Sequence, residues 1–196
     1  MGEHLSTNGP LVLVRHGQST WNQLHLIQGQ NDDATLTERG REQARAAGRA
    51  LGEYDFDAIL SSDLTRTLET AELVGQELGL TIEVTPALRE RNYGVLEGHP
   101  VSELTVAESG IAGYRVVDED ASPLEGESLR QLHERAGRFI EEIRGRSASQ
   151  RLLLVTHGGT IRAIRAYCQG LSMMNLEWDR VGNCSIWDVS LGVAPR

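Results

Sequence analysis

Two histidines occupy matching places in the chain. Residues 11–14, Leu-Val-Leu-Val, lead directly into Arg15-His16-Gly17, and residues 152–155, Leu-Leu-Leu-Val, lead into Thr156-His157-Gly158-Gly159. An imidazole placed where a buried strand gives way to an exposed loop can serve as a nucleophile or as a cation. A following glycine lets the backbone approach a ligand closely and take a positive φ. Between these two points, Ser61-Ser62-Asp63-Leu64-Thr65-Arg66 puts an arginine in the first turn of a predicted helix. A cation is unfavourable there for the helix dipole, and its placement makes sense if the guanidinium reaches forward to grip a phosphate with two parallel hydrogen bonds. Further on, Leu88-Arg89-Glu90-Arg91-Asn92-Tyr93-Gly94 sets one carboxylate between two arginines. Taken singly, these residues read as a hydrogen-bonded loop histidine, a solvated arginine and an ion-paired glutamate. Two histidines at matching strand ends with arginines nearby read instead as an anion-handling site.

Composition limits what that site can be. All 19 cationic side chains are arginine. The absence of lysine removes Schiff-base chemistry, a pyridoxal-phosphate anchor and a P-loop lysine for nucleotide phosphates. Against 28 carboxylates the net charge is −9, which argues against a nucleic-acid surface. The aliphatic runs are four residues long, far below the roughly 20 needed to span a bilayer. A soluble, cytoplasmic protein is therefore expected, since residues 1–10 also lack the charged and apolar regions of a secretory signal. Gly2 and Ser6 fit the loose myristoylation pattern, which alone would anchor only marginally. Cys168 and Cys184 belong to no CxxC pair and read as reduced, buried thiols rather than a disulfide or metal site.

The elements that must carry the site alternate strand and helix. Strands are expected at 11–14, 58–60, 82–84, 152–155 and about 184–189. Thr37 can cap the first long helix, which runs to about Gly52 with Ala44, Ala47, Ala50 and Leu51 near one face. The second spans 65–79, with Leu68, Ala71, Leu73 and Leu78 as its apolar set and Gly79 as its stop. Ser128 and Gln131 form a capping-box pair opening a helix to about Arg144 with Leu132, Phe139, Ile140 and Ile143 facing inward, and a further helix covers 160–168. From 86 to 127 periodicity weakens, leaving a short helical candidate at 101–109 and the acidic cluster Asp118, Glu119 and Asp120, which reads as a solvated loop. The length suits one domain over 1–196, with a loop-rich insertion at about 93–126. Repeated strand–helix units imply an α/β fold, a three-layer α/β/α sandwich around a mainly parallel sheet, with ligands outside the carboxyl ends of the strands.

With these segments in place, the chain resembles the histidine phosphatase superfamily, which includes cofactor-dependent phosphoglycerate mutases and many small phosphatases. The R-H-G signature stands as Arg15-His16-Gly17, the S-S-x-x-x-R segment as Ser61 to Arg66, the L-x-E-x-x-x-G segment as Leu88 to Gly94, and the H-G segment as His157-Gly158. Supporting matches are Ser19, Trp21, Asn22, Gln28, Gly29, residues 36–40 and Gly126-Glu127-Ser128. The resemblance spans about 11–189 and implies a phosphoglycerate mutase-like fold. It implies His16 as nucleophile forming a phosphohistidine, with Arg15, Arg66 and His157 around the phosphoryl oxygens and no metal or cofactor. Glu90 would protonate the leaving oxygen and then activate water. Arg89 and Arg91, if close to it, would favour its charged form instead. Asn22, Gln28, Gly29, Tyr93 and Gly158 would line the pocket. His4, His25, His99 and His133 read as structural or solvated, with His99 placed where it could touch a leaving group.

Hydrolase and mutase separate on the insertion. Family mutases resemble one another in a longer insertion bearing a lysine and an adjacent arginine pair. Here residues 99–126 hold no lysine, one arginine (Arg115) and six carboxylates: Glu103, Glu108, Asp118, Glu119, Asp120 and Glu125. That acidity favours hydrolysis of a small phosphomonoester, such as a sugar phosphate, and a leaving group that is neutral or cationic in a pocket made partly by Trp21, Tyr93 and Tyr114. The alternatives are a phosphoglycerate mutase, a protein or phosphohistidine phosphatase, and a non-catalytic phosphate-binding module. The expected partner is a small-molecule phosphomonoester, not nucleic acid or membrane. Oligomeric state is not readable, and a homodimer stays open.

Overall fold

The computed structural model describes residues 11–103, 118–177 and 179–189. Five strands, β1 (Leu11–Arg15), β2 (Ala58–Ser61), β3 (Ile82–Val84), β4 (Leu152–Thr156) and β5 (Ile186–Val189), form one sheet in the order β3-β2-β4-β1-β5. The first four are parallel, and β5 runs antiparallel along β1. Both inner faces are apolar, as a sheet covered on two sides requires. Leu11, Leu13, Leu60, Leu152 and Leu154 pack on one face, against α4 (Leu129–Ser147) and α5 (Gly158–Cys168). Val12, Val14, Ile59, Leu153 and Val155 pack on the other, with Ala71 and Val74 of α3 (Thr65–Leu78) and with Leu51, the residue that ends α2 (Glu38–Ala50). A short α1 (Thr20–Gln23) follows β1. The three layers expected from the strand–helix alternation are present.

Local chemistry explains most of the boundaries. Thr37 caps α2 by accepting from Gly40 N–H, Gly79 ends α3 in the left-handed conformation (φ 69°), and Ser128 with Gln131 makes both bonds of a capping box. The inward residues predicted for α4 are all buried, although that helix continues three residues past Arg144. On α2, Ala50 is exposed and Gly48 is buried in its place. A Cβ at Gly48 would lie 2.8 Å from Glu77 Cβ, so the closeness of α3 requires glycine there. β5 starts at Ile186 rather than Cys184, because Cys184 takes a left-handed φ of 52° and spends its N–H on the carbonyl of Arg15. Of the helical candidate at 101–109, only Val101–Glu103 is described, as one 3-10 turn. Glu108, Tyr114, Arg115 and the Gly2 and Ser6 pattern lie outside the described residues. Among the described residues no helix is long and apolar enough to cross a membrane.

Candidate active site

Strand register brings the two histidines together. β1 and β4 pair Arg15 with Thr156, and the next residue in each strand's path is a histidine. The ring centroids of His16 and His157 are 5.2 Å apart, inclined at 60°. β2 ends alongside: Ser61 pairs with Val155, and Ser62 N–H donates to Val155 O at 3.1 Å. The carboxyl ends of three neighbouring parallel strands therefore meet at one place.

His16 has a defined tautomer. Its Nδ1 is 2.8 Å from Gly17 O, and a carbonyl can only accept, so Nδ1 carries the proton and Nε2 keeps its lone pair. Burial, then the charges of Arg15 and Arg66, hold the imidazole well below its ordinary 6.5. The ring is neutral at neutral pH. His157 is held low in the same way, by burial, Arg66 and His16. Arg66 Nη2 is 3.4 Å from its Nδ1, leaving Nε2–H for the hydroxyls of Ser62 and Thr67, each at 3.0 Å.

These two shifts make stability depend on pH. Below pH 6.5 the unfolded chain takes up protons at both histidines that the folded chain refuses. The stability is complete above that pH and is lost as pH falls, by at most about 1.4 kcal/mol per pH unit for each histidine. Urea midpoints measured between about pH 8 and pH 5.5 should show this loss, and it should be smaller in His16→Ala. A decline that the substitution leaves unaltered contradicts the assignment.

Two guanidinium groups face the histidines. Arg66 is fully buried although it sits in the first turn of α3. It donates from Nη1 to Asn31 O (2.9 Å) and from Nη2 to Gly29 O (2.7 Å). The helix dipole it opposes is met by Asp32, which accepts from the N–H (2.6 Å) and hydroxyl (2.8 Å) of Thr65. Arg15 donates from Nη1 to Val181 O at 2.7 Å. Burial lowers both, Arg66 to about 10, so both stay charged at neutral pH. The buried Nε–H of each has no acceptor among the described residues. A buried donor in that condition costs about 1–3 kcal/mol, which an oxyanion at this point would offset.

Glu90 is free of the arginines that flank it in sequence. Arg89 forks onto Asp63 (Nε to Oδ1, 2.7 Å), and Arg91 Nε donates to Glu127 O at 2.7 Å. The Glu90 carboxylate accepts instead from two backbone donors, Arg91 N–H at 2.8 Å and Gly159 N–H at 3.0 Å. Its loop is clamped from behind by Arg135 of α4. Nη1 of Arg135 reaches Ala87 O and Arg89 O, Nη2 reaches Glu90 O at 3.1 Å, and the guanidinium also pairs with Glu127.

Arg15, His16, Arg66 and Glu90 line one cleft of about 330 Å³, with Trp21, Asn22, Gln28, Gly29 and Tyr93 also in its wall. Seven of the residues singled out in the sequence thus join Arg15 and His16 at one site. His157 and Gly158 are not in that wall; His157 touches Arg66 from inside the fold. The glycines act differently from expectation. Neither Gly17 nor Gly158 has a positive φ. Gly17 is required because a Cβ there would be 2.4 Å from Gly40 O, and Gly159 because a Cβ would be 2.3 Å from Glu90 Oε1. His25, rather than His99, lines the cleft. None of the described carboxylates of the acidic stretch does: Asp120 pairs with Arg130, and Glu119 accepts from Met174 N–H. Arg180 and Asn183 also line it and stand outside every motif. Asn183 Nδ2 donates to His16 O and to Asn22 Oδ1.

Comparison with known proteins identifies the family. The model of the histidine phosphatase superfamily (branch 1) matches residues 11–192. A probable phosphoglycerate mutase, GpmB, of Yersinia pestis (strain Pestoides F) is 35% identical over 186 residues, covering 94% of this chain and 86% of the relative. The solved mycobacterial glucosyl-3-phosphoglycerate phosphatase in complex with VO3 is 32% identical with a TM-score of 0.79, covering 91% of this chain and 89% of that one. A mutant phosphoserine phosphatase of Entamoeba histolytica in complex with phosphoserine is 25% identical with a TM-score of 0.77, covering 91% and 88%.

Proposed function

Because the chain belongs to the histidine phosphatase superfamily, branch 1, we propose that it is a metal-independent hydrolase of a small phosphomonoester working through a phosphohistidine on His16. The observation that carries this reading is the His16 tautomer: Nδ1–H is tied to Gly17 O, and the neutral ring lies beside two charged arginines. Nε2 attacks phosphorus in line, a P–N bond forms, and the bond to the leaving oxygen breaks. Glu90, as general acid, gives that oxygen a proton. Water then attacks phosphorus, Glu90 takes the water proton, and the P–N electron pair returns to Nε2. Arg15 and Arg66 supply donors to the equatorial oxygens without reorganising, because their other N–H groups are already fixed on carbonyls. The proposed setting is the cytoplasm, with residues 1–196 acting as one catalytic domain.

Removing Arg66 should show this directly. Arg66→Ala is expected to lower kcat/KM by roughly 10²–10³-fold. It should also lower the thermal midpoint, since Gly29 O and Asn31 O lose their donor. Arg66→Lys should restore little, because an ammonium cannot span both carbonyls and an oxyanion. Steady-state kinetics with thermal unfolding checks both parts.

The named relative from Yersinia pestis favours a second reading, a phosphoglycerate mutase. A phosphomonoester screen in the presence of chelator, run beside 3-phosphoglycerate with and without a 2,3-bisphosphoglycerate primer, separates the two. Release of inorganic phosphate supports the hydrolase. Primer-dependent isomerisation without phosphate release would replace it with the mutase.

A further inference from the structure

The segment before β5 is fastened on both sides of Arg180. Asp179 accepts at its carbonyl from Arg162 (3.0 Å) and at its carboxylate from Arg165 (3.2 Å). Val181 O takes Arg15 Nη1, Asn183 Nδ2 donates to His16 O at 3.2 Å, and Cys184 N–H donates to Arg15 O at 3.0 Å. Arg180 is thereby held against the loop that carries the nucleophile. Its side chain is exposed and lines the cleft. Its charge is felt at Arg15. Among the described residues no carboxylate, carbonyl or other acceptor takes its guanidinium. The neighbouring side chains of Asp179 and Asn183 are all committed to protein partners; Arg180 is not.

The charges of the cleft suggest what it is for. Glu90 is the one described carboxylate in the wall, set against Arg15, Arg66 and Arg180. Arg15 and Arg66 converge on His16, which assigns them to the transferring phosphoryl group. That leaves one guanidinium for the remainder of the substrate. A dianionic second phosphate calls for two cations, as the first phosphate has, whereas a single planar fork matches a carboxylate. A neutral or cationic leaving group, expected from the acidic stretch, would leave Arg180 without a role.

We propose that Arg180 is the specificity-determining residue of the leaving-group half of the cleft, and that the substrate is a phosphomonoester whose alcohol carries a carboxylate. This rests on the hydrolase reading. The test compares kcat/KM for two esters that differ at one carbon, 3-phosphoglycerate with its carboxylate and glycerol 3-phosphate with a hydroxymethyl group. Because the ratio of the two constants is taken within one preparation, a loss of folded protein does not alter it. Wild type is expected to favour the carboxylated ester by about tenfold or more, the ratio that 1.4 kcal/mol of discrimination gives. Arg180→Ala should bring the ratio toward one, Arg180→Lys should retain part of it, and Arg180→Glu should shift preference to O-phosphoethanolamine. A wild-type ratio near one, or a ratio that Arg180→Ala leaves unchanged, overturns the assignment while hydrolysis through His16 stands. Failure of wild type to hydrolyse any of these esters, with activity on other monoesters in the screen, overturns this proposal alone; failure across the whole screen overturns the hydrolase reading with it.

Discussion

Replacing His16 with alanine is expected to lower kcat by at least about four orders of magnitude and to abolish any covalent phosphoenzyme. The loss is large because nothing nearby can substitute. His157 keeps its Nδ1 on Arg66 and its Nε2 on the Ser62 and Thr67 hydroxyls, so its lone pair is not available to phosphorus. Arg15 and Arg66 would still bind the ester, and the variant should retain KM within a small factor while losing turnover. Phosphate release followed over hours, with an equilibrium binding measurement on the same sample, checks both halves. Turnover within tenfold of wild type removes His16 from the mechanism.

Glu90→Gln is expected to cost roughly 10²–10⁴ in kcat on alkyl phosphates and much less on aryl phosphates with good leaving groups. The reason is the division of labour between the two steps. An alkoxide leaves poorly without a proton, whereas an aryl oxide leaves unaided, so the dependence of rate on leaving-group basicity should steepen in the variant. The substitution also has a structural side. The carboxylate accepts from the N–H groups of both Arg91 and Gly159, and an amide oxygen can replace only one of those acceptors. Glu90→Asp, which keeps both oxygens on a shorter arm, separates the two contributions. Equal losses on alkyl and aryl esters in the glutamine variant would show that Glu90 positions the loop rather than moving a proton.

How much of this could be read from the chain alone follows from what each residue depends on. The strands were legible because their apolar runs are short and end abruptly in Arg-His-Gly and Thr-His-Gly, and parallel register then makes the two histidines neighbours. The helix caps at Thr37, Ser128 and Gly79 were legible because capping is local chemistry. Arg135 was not, because it acts on the Glu90 loop across 45 residues of sequence. Nor were Arg180 and Asn183, which reach the site only after β5 has folded back antiparallel on β1. Arg89 and Arg91 are held by other groups for a related reason. Asp63 draws Arg89 away and Glu127 O holds Arg91, and neither partner is near in sequence. Of the two glycines marked as special, Gly17 answers to close packing against Gly40 rather than to positive φ, and the close approach expected at Gly158 falls one residue later, where Gly159 meets Glu90.

The most direct test is a rapid-quench experiment with a ³²P-labelled monoester. A burst of alcohol approaching one per chain is expected. It should be matched by a label that is stable in alkali, lost in acid and mapped to the peptide containing His16. Alcohol and phosphate released together from the first turnover, with no label trapped on His16 at any quench time, would contradict phosphoryl transfer to that residue.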